Sequence, residues 1–352
     1  MFKAKPTSSR ARLRRGLAAL ALACAMLPAH AADKLRVSLF SWPGYGFWFI
    51  AKEKNLAPEI DWDIQIIEDP YQSFSAMAAG QLDVTTSTVE YGPIAAEQKV
   101  PVKFVTYTNP SIGTDKIILA PDIKSPTELK GKKVAVLEGG LTQIYMGIWL
   151  ENNGVKFNEV QYVNVIMDDA VGAMVSGQVA AGEFWEPFGG KVLENLKGSR
   201  VVTTSAEDYW KSTALLGDGM YMTESLIKDK PELAAAAMKA YFKAVDYWQK
   251  NPAEGNEIIA KNLKFPVADV ELVIGKDGKP NPVGIWVFNL DEAARFMRVR
   301  EGAVPIGSAN GINDHWKLTN EWWLKFGLMK ETLPPEAGIE LGPLKAAASE
   351  LP

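Results

Sequence analysis

AMAAGQL at residues 76–82 and AMVSGQV at residues 173–179 decide how this chain is read. Each has the form of a helix end, a glycine in the left-handed cap position, and the entry to a strand. Around the first, residues 35–40, 63–67 and 83–87 read as strands, and 48–55 and 73–79 as helices. Around the second, 116–120, 133–137 and 161–165 read as strands, and 142–152 and 168–176 as helices, with Asp168 and Asp169 as caps. Such alternation predicts an α/β fold with parallel sheets and helices on both faces. If the two stretches are equivalent units of two lobes, the segments after them lie at the C-terminal ends of parallel strands. These are STVEY at 87–91 and EFWE at 183–186. Open α/β sheets bind ligands at that edge.

The first 31 of the 352 residues read as a cleaved signal peptide for export to the periplasm. Six basic residues precede an apolar run from Leu17 to Leu27, and Ala29 and Ala31 present a cleavage site. Cys24 is the only cysteine, so disulfide and thiol chemistry are absent from the exported chain. Without the leader, 32 basic residues face 42 acidic ones, a formal charge of −10 that argues against nucleic acid and anionic lipid. His315 is then the sole histidine, which disfavours a histidine-built metal site or a Ser-His-Asp triad. Neither cofactor nor metal is expected. Pro231 opens a long amphipathic helix carrying Leu233, Ala237, Tyr241, Val245 and Trp248 on one stripe. Further helices are read at 291–300 and 313–326, where His315, Trp316, Trp322 and Trp323 read as packing residues. The Pro- and Ala-rich tail, 336–352, is expected to be loosely ordered.

The ordered motifs VSLFSWPGY at 37–45, AGQLDV at 79–84, SPTELKGKKVAV at 125–136, SGQV at 176–179 and WEP at 185–187 resemble the nitrate/sulfonate/taurine-type substrate-binding proteins of ABC importers. SWPGYG at 41–46 and the acidic loops resemble most the urea-carboxylase-associated branch, assigned to urea or guanidine uptake. The resemblance implies a periplasmic-binding-protein type II-like fold, with two Rossmann-like lobes joined by two hinge crossovers and the solute clamped between them. Lobe 1 would be 33–111 plus 219–335, and lobe 2 would be 112–218. The crossovers would fall near 109–113 and 215–221. An inner-membrane ABC permease with its ATPase subunit would be the partner, and the binding protein itself a monomer.

Six segments fall at the expected strand ends: 41–47, 68–73, 87–92, 138–143, 183–189 and 216–221. Their charged residues are Glu68, Asp69, Glu90, Glu138, Glu183, Glu186 and Asp218, with no Lys or Arg. Such loops repel an anion and favour a cation or an N–H-rich solute. Trp42, Tyr45, Tyr71, Tyr91, Phe184 and Trp185 add ring faces on which a planar cation such as guanidinium can lie. The candidate ligand-binding set is Trp42, Tyr45, Asp69, Tyr71, Thr88, Glu90, Tyr91, Glu138, Glu183, Trp185, Glu186 and Asp218. Each has a plainer reading. Trp185 could be a core or hinge residue, Glu183 and Glu186 surface ion-pair partners, and Glu90 a helix N-terminal charge. Trp42 could merely shape a turn, and Asp218 be a turn residue. Gly139-Gly140 lacks the following lysine of a phosphate loop. The rival readings are a sulfonate, taurine or nitrate binder and, from another class, a thiamine-pyrimidine-pathway enzyme. The latter chemistry consumes a histidine, and His315 lies far in sequence from every candidate loop.

Overall fold

The computed structural model describes residues 1–2, 32–213 and 215–351; the leader read at 1–31 lies outside them apart from its first two residues. Among the described residues the strands are β1 (Asp33–Leu39), β2 (Ile60–Ile66), β3 (Val84–Thr88), β4 (Val102–Pro110), β5 (Lys116–Leu119), β6 (Lys133–Val136), β7 (Gln161–Asn164), β8 (Ala181–Phe184), β9 (Arg200–Thr204) and β10 (Gly217–Thr223). They form two five-stranded sheets, ordered β2-β1-β3-β10-β4 and β7-β6-β8-β5-β9. In each sheet three neighbouring strands run parallel, and the fourth lies antiparallel to both its neighbours. The chain passes from one sheet to the other between β4 and β5 and returns between β9 and β10.

The two glycine-capped stretches occupy matching places. Gly80 and Gly177 have φ of 69° and 73°, conformations glycine adopts without a Cβ penalty. Behind them the Gln81 N–H donates to Ala76 O at 2.8 Å, and the Gln178 N–H to Ala173 O at 2.9 Å. Each cap feeds the third strand of its sheet, β3 or β8. Asp168 and Asp169 stand in the first turn of the helix Met167–Val175, where they oppose its dipole. The N-cap is Ile166, which replaces the expected acidic cap.

Each sheet builds its own core, one around Leu35, Val37, Val84 and Tyr221, the other around Ile117, Val134, Ala181 and Phe184. The helix Pro231–Lys250 buries Leu233, Ala237, Tyr241, Val245 and Trp248 against the first core, as its stripe predicts. The helix Ile312–Phe326 reaches both. Ile312 joins the first core, and Trp322 and Trp323 the second. His315 and Trp316 are buried in it as packing residues. No helix among the described residues is long and apolar enough to cross a membrane.

The tail departs from expectation. Ile339 bridges to Phe104 on β4, an edge strand. The Phe104 N–H donates to Gly338 O at 2.8 Å, and the Glu340 N–H to Phe104 O at 3.0 Å. The helix Gly342–Ala348 then buries Leu344 and Ala347 against the first core. Covering a sheet edge supplies backbone partners that composition does not reveal. Leu344→Ala should therefore cost roughly 2–5 kcal/mol in urea unfolding, the usual range for truncating a buried leucine. A loose tail would show no change.

Candidate functional site

The antiparallel strands shape the site. β5 pairs Lys116 with Phe184, so it begins where β8 ends. β10 pairs Asp218 with Thr88, so it begins where β3 ends. Asp218 thereby belongs to the first sheet. Strand beginnings and strand ends meet at one cleft edge, and a cavity of about 340 Å³, counting its open mouth, lies there between the sheets.

From the first sheet come Phe40 and Trp42 after β1, Tyr45, Thr88 and Asp218; from the second come Asp115, Leu141 and Trp185. The Trp42 ring lies over Gly44, where a Cβ would fall 2.0 Å from the ring, so only glycine fits. Tyr45 stands edge-on to Phe40 and Trp42, with centroids 5.6 and 5.0 Å away, and its hydroxyl donates to Asp218 Oδ1. Burial pushes the Asp218 carboxyl well above the ordinary range, and the Tyr45 bond pulls it partly back. Trp185 stands edge-on to Phe188 at 6.1 Å and packs against both cores. The indole Nε1 of Trp42 and of Trp185 and the Thr88 hydroxyl have no protein partner.

Beside the cavity sits a second layer of acid. Glu183 on β8 is 1% exposed, and its carboxyl meets no side-chain donor; the Lys116 backbone N–H favours its charged form. The Asp115 carboxyl lies within hydrogen-bonding reach of it. Two carboxyls bond each other only if one keeps its proton. Burial raises Asp115 to about 6, against which the Ser111 hydroxyl and Glu183 act, and burial with Asp115 raises Glu183 well above its usual value. Lys116 is adjacent, but its ammonium bonds to Glu186, which also accepts the Gly190 N–H at 2.9 Å.

Of the twelve residues expected from sequence, Trp42, Tyr45, Thr88, Trp185 and Asp218 line this cavity, and Glu183 lies beside Asp115. The other six stand elsewhere. Glu186 is taken by Lys116, so the acidic loops do have a basic neighbour. Glu90 is fully buried, with its carboxylate 2.7 Å from His315 Nε2. Asp69 caps the helix Pro70–Ala78 by accepting the Tyr71 N–H at 2.9 Å. Glu138 is exposed. Tyr71 and Tyr91 line a separate hollow with Phe74 and Ile94, and burial holds the Tyr71 hydroxyl up at about 12. Phe184 is buried in the second core and is no ring platform. Asp115 is not among the residues expected from sequence, because the strand-end rule follows parallel strands to their ends whereas Asp115 precedes an antiparallel one. The signal for it was present: a lone acid in GTDKIIL, between a crossover and a strand.

Sheet order, paired crossovers and an interlobe cavity together define a two-lobed periplasmic-binding-protein type II-like fold. The chain belongs to the NMT1/THI5-like family, whose model matches residues 42–255. It is similar to a Brucella abortus (strain 2308) protein whose name assigns binding without a stated ligand, with 26% identity over 330 residues, covering 92% of this chain and 96% of the relative. Among solved structures it resembles the alkanesulfonate-binding protein of Xanthomonas axonopodis pv. citri bound to MOPS (TM-score 0.69, 16% identity, 89% of this chain and 100% of that one). It also resembles the periplasmic nitrate-binding protein of Synechocystis PCC 6803 (TM-score 0.70, 14% identity, 91% and 89%).

Two outcomes follow. A Cβ at Gly140 would fall 2.5 Å from Tyr91 Oη across the lobe boundary. Gly140 has φ −107°, so alanine suits its backbone. Gly140→Ala should fold normally yet widen the cleft, seen as a larger radius of gyration in solution scattering. The raised Asp115 and Glu183 carboxyls bind more protons folded than unfolded. Stability should therefore be greatest below about pH 4 for this term and fall as pH rises through about 6. Glu183→Gln should flatten the fall in melting temperature between pH 5 and 7.

Proposed function

We propose that this protein is the periplasmic solute-binding component of an ABC importer, and that its cleft captures a small nitrogenous solute of the guanidine or urea type. One observation carries the reading: the cavity presents two carboxyls, Asp115 and Asp218, and four aromatic side chains, with no Lys or Arg in its lining. A flat N–H-rich solute satisfies the carboxyls with its edge and the rings with its face. Lobe closure supplies the affinity, and the solute passes to a membrane permease driven by an ATPase subunit. The protein performs no covalent chemistry. His315 sits against Glu90 and outside the cavity lining, which weighs against a reaction that consumes it.

A second reading, sulfonate, taurine or nitrate binding, is favoured by the unpartnered indole N–H groups of Trp42 and Trp185, which suit an acceptor on the solute. The names of the similar solved structures point the same way.

A thermal-shift screen with guanidinium, urea, methylguanidine, taurine and nitrate separates the two, since stabilisation grows with the ratio of solute to Kd. Guanidinium or urea should raise the melting temperature; a rise with nitrate or taurine alone contradicts the leading reading. Asp218→Asn should then weaken binding by roughly 2 kcal/mol or more, and Trp185→Ala by roughly 0.5–2 kcal/mol, each read by calorimetry.

A further inference from the structure

Asp115, Glu183 and Asp218 are three buried carboxyls gathered at one cleft. The groups facing them come from every neighbouring element. Lys116 on β5 is bonded to Glu186, which follows β8. Tyr45, Tyr107 and Tyr145 approach from the turn after β1, from β4 and from the helix Leu141–Asn152; burial holds all three hydroxyls neutral. Glu90, farther back, is bonded to His315. Asp115 and Glu183 thus face each other, and the cation that acts on both, Lys116, is ion-paired with Glu186 rather than with either. The contact between Asp115 and Glu183 is a bond only while a proton lies between them. Among the described residues no group of three or more His, Cys, Asp or Glu is placed to hold a metal ion. The aromatic wall beside Asp115 suits an organic molecule, and the buried Trp42 Nε1 with no protein partner marks that wall as one that meets a ligand.

We infer that the solute presents a positively charged nitrogen group to Asp115, and that this charge replaces the proton shared by Asp115 and Glu183 in the empty cleft. The inference rests on the reading of the cleft as the solute site, and it narrows that reading from N–H-rich solutes to charged ones. The exchange balances: one cationic group enters, one proton leaves to solvent, and the net charge of the site stays at −1, with nitrogen in the place of the proton. A neutral solute such as urea leaves the proton in place. An anion needs every carboxyl protonated and draws protons in. The sign of the proton exchange therefore reports the charge of the group bound.

Calorimetry at pH 6 in two buffers of different ionisation enthalpy measures that exchange directly, with guanidinium, urea, taurine and nitrate as probes. Guanidinium should bind with proton release, and its affinity should rise up to about tenfold per pH unit around pH 6. Glu183→Gln, whose amide donates to Asp115 permanently, should still bind guanidinium but release no proton. Taurine binding with release, guanidinium being inert, would uphold the charge inference while overturning the guanidine reading. Urea or nitrate binding more tightly than either, without release or with uptake, overturns the inference. If none of the four binds, the infrared spectrum of the ligand-free protein decides. A protonated-carboxyl band at pH 6 that weakens in Glu183→Gln supports the shared proton, and its absence from the wild type sinks it.

Discussion

The Lys116 ammonium bonds to the Glu186 carboxylate where β5 and the end of β8 lie side by side. Both side chains are largely buried, and Glu186 is further held by the Gly190 N–H. Breaking such a pair from one side strands a charge away from water, at a cost of roughly 3–5 kcal/mol. Lys116 is accordingly fixed to its partner and does not turn toward the cavity. Asp115, one residue earlier in the chain, feels the Lys116 charge but forms no ion pair with it. The acidity of the cleft follows from that division of two adjacent residues between an ion pair and the cavity wall.

Topology puts the remaining parts in reach. Each lobe inserts one antiparallel strand beside the glycine-capped third strand. Thr88 and Trp185 arrive from the strands that end at the cleft, Asp218 and Asp115 from those that begin there. Because the chain enters the second lobe through Asp115 and leaves it just ahead of Asp218, the two lining carboxyls sit at the two crossovers. On the proposed reading, a motion of one lobe against the other would alter the spacing of those carboxyls and so couple solute capture to closure.

Much of this was legible in the chain. The repeated helix–glycine–glutamine pattern identifies two equivalent units, and Gly80 and Gly177 adopt the same left-handed cap. Trp42, Tyr45, Thr88 and Trp185 follow from the rule that ligands bind at strand ends, whereas Asp218, expected at a strand end, stands at the start of antiparallel β10. Asp115 does not follow, since the rule as applied to parallel strands is silent about where an antiparallel one starts. Periodicity shows that Glu90, Glu183 and Glu186 sit near strand ends, but not which partner each meets. His315 lies 225 positions from Glu90, and Lys116 lies 70 from Glu186. Contacts that distant are set by packing of the whole lobe. The tail escaped for a related reason: its order comes from the exposed edge of β4, a feature of the assembled sheet.

Glu186 neutralises Lys116, and on the proposed reading this leaves the cleft selective for positive charge. Guanidinium affinity of Glu186→Gln, compared by calorimetry with that of the Lys116→Met/Glu186→Gln double variant, tests it most directly. Releasing Lys116 should weaken guanidinium binding about tenfold or more, and removing both partners should restore it to within about threefold of the wild type. Unchanged or tighter binding by Glu186→Gln would contradict the account.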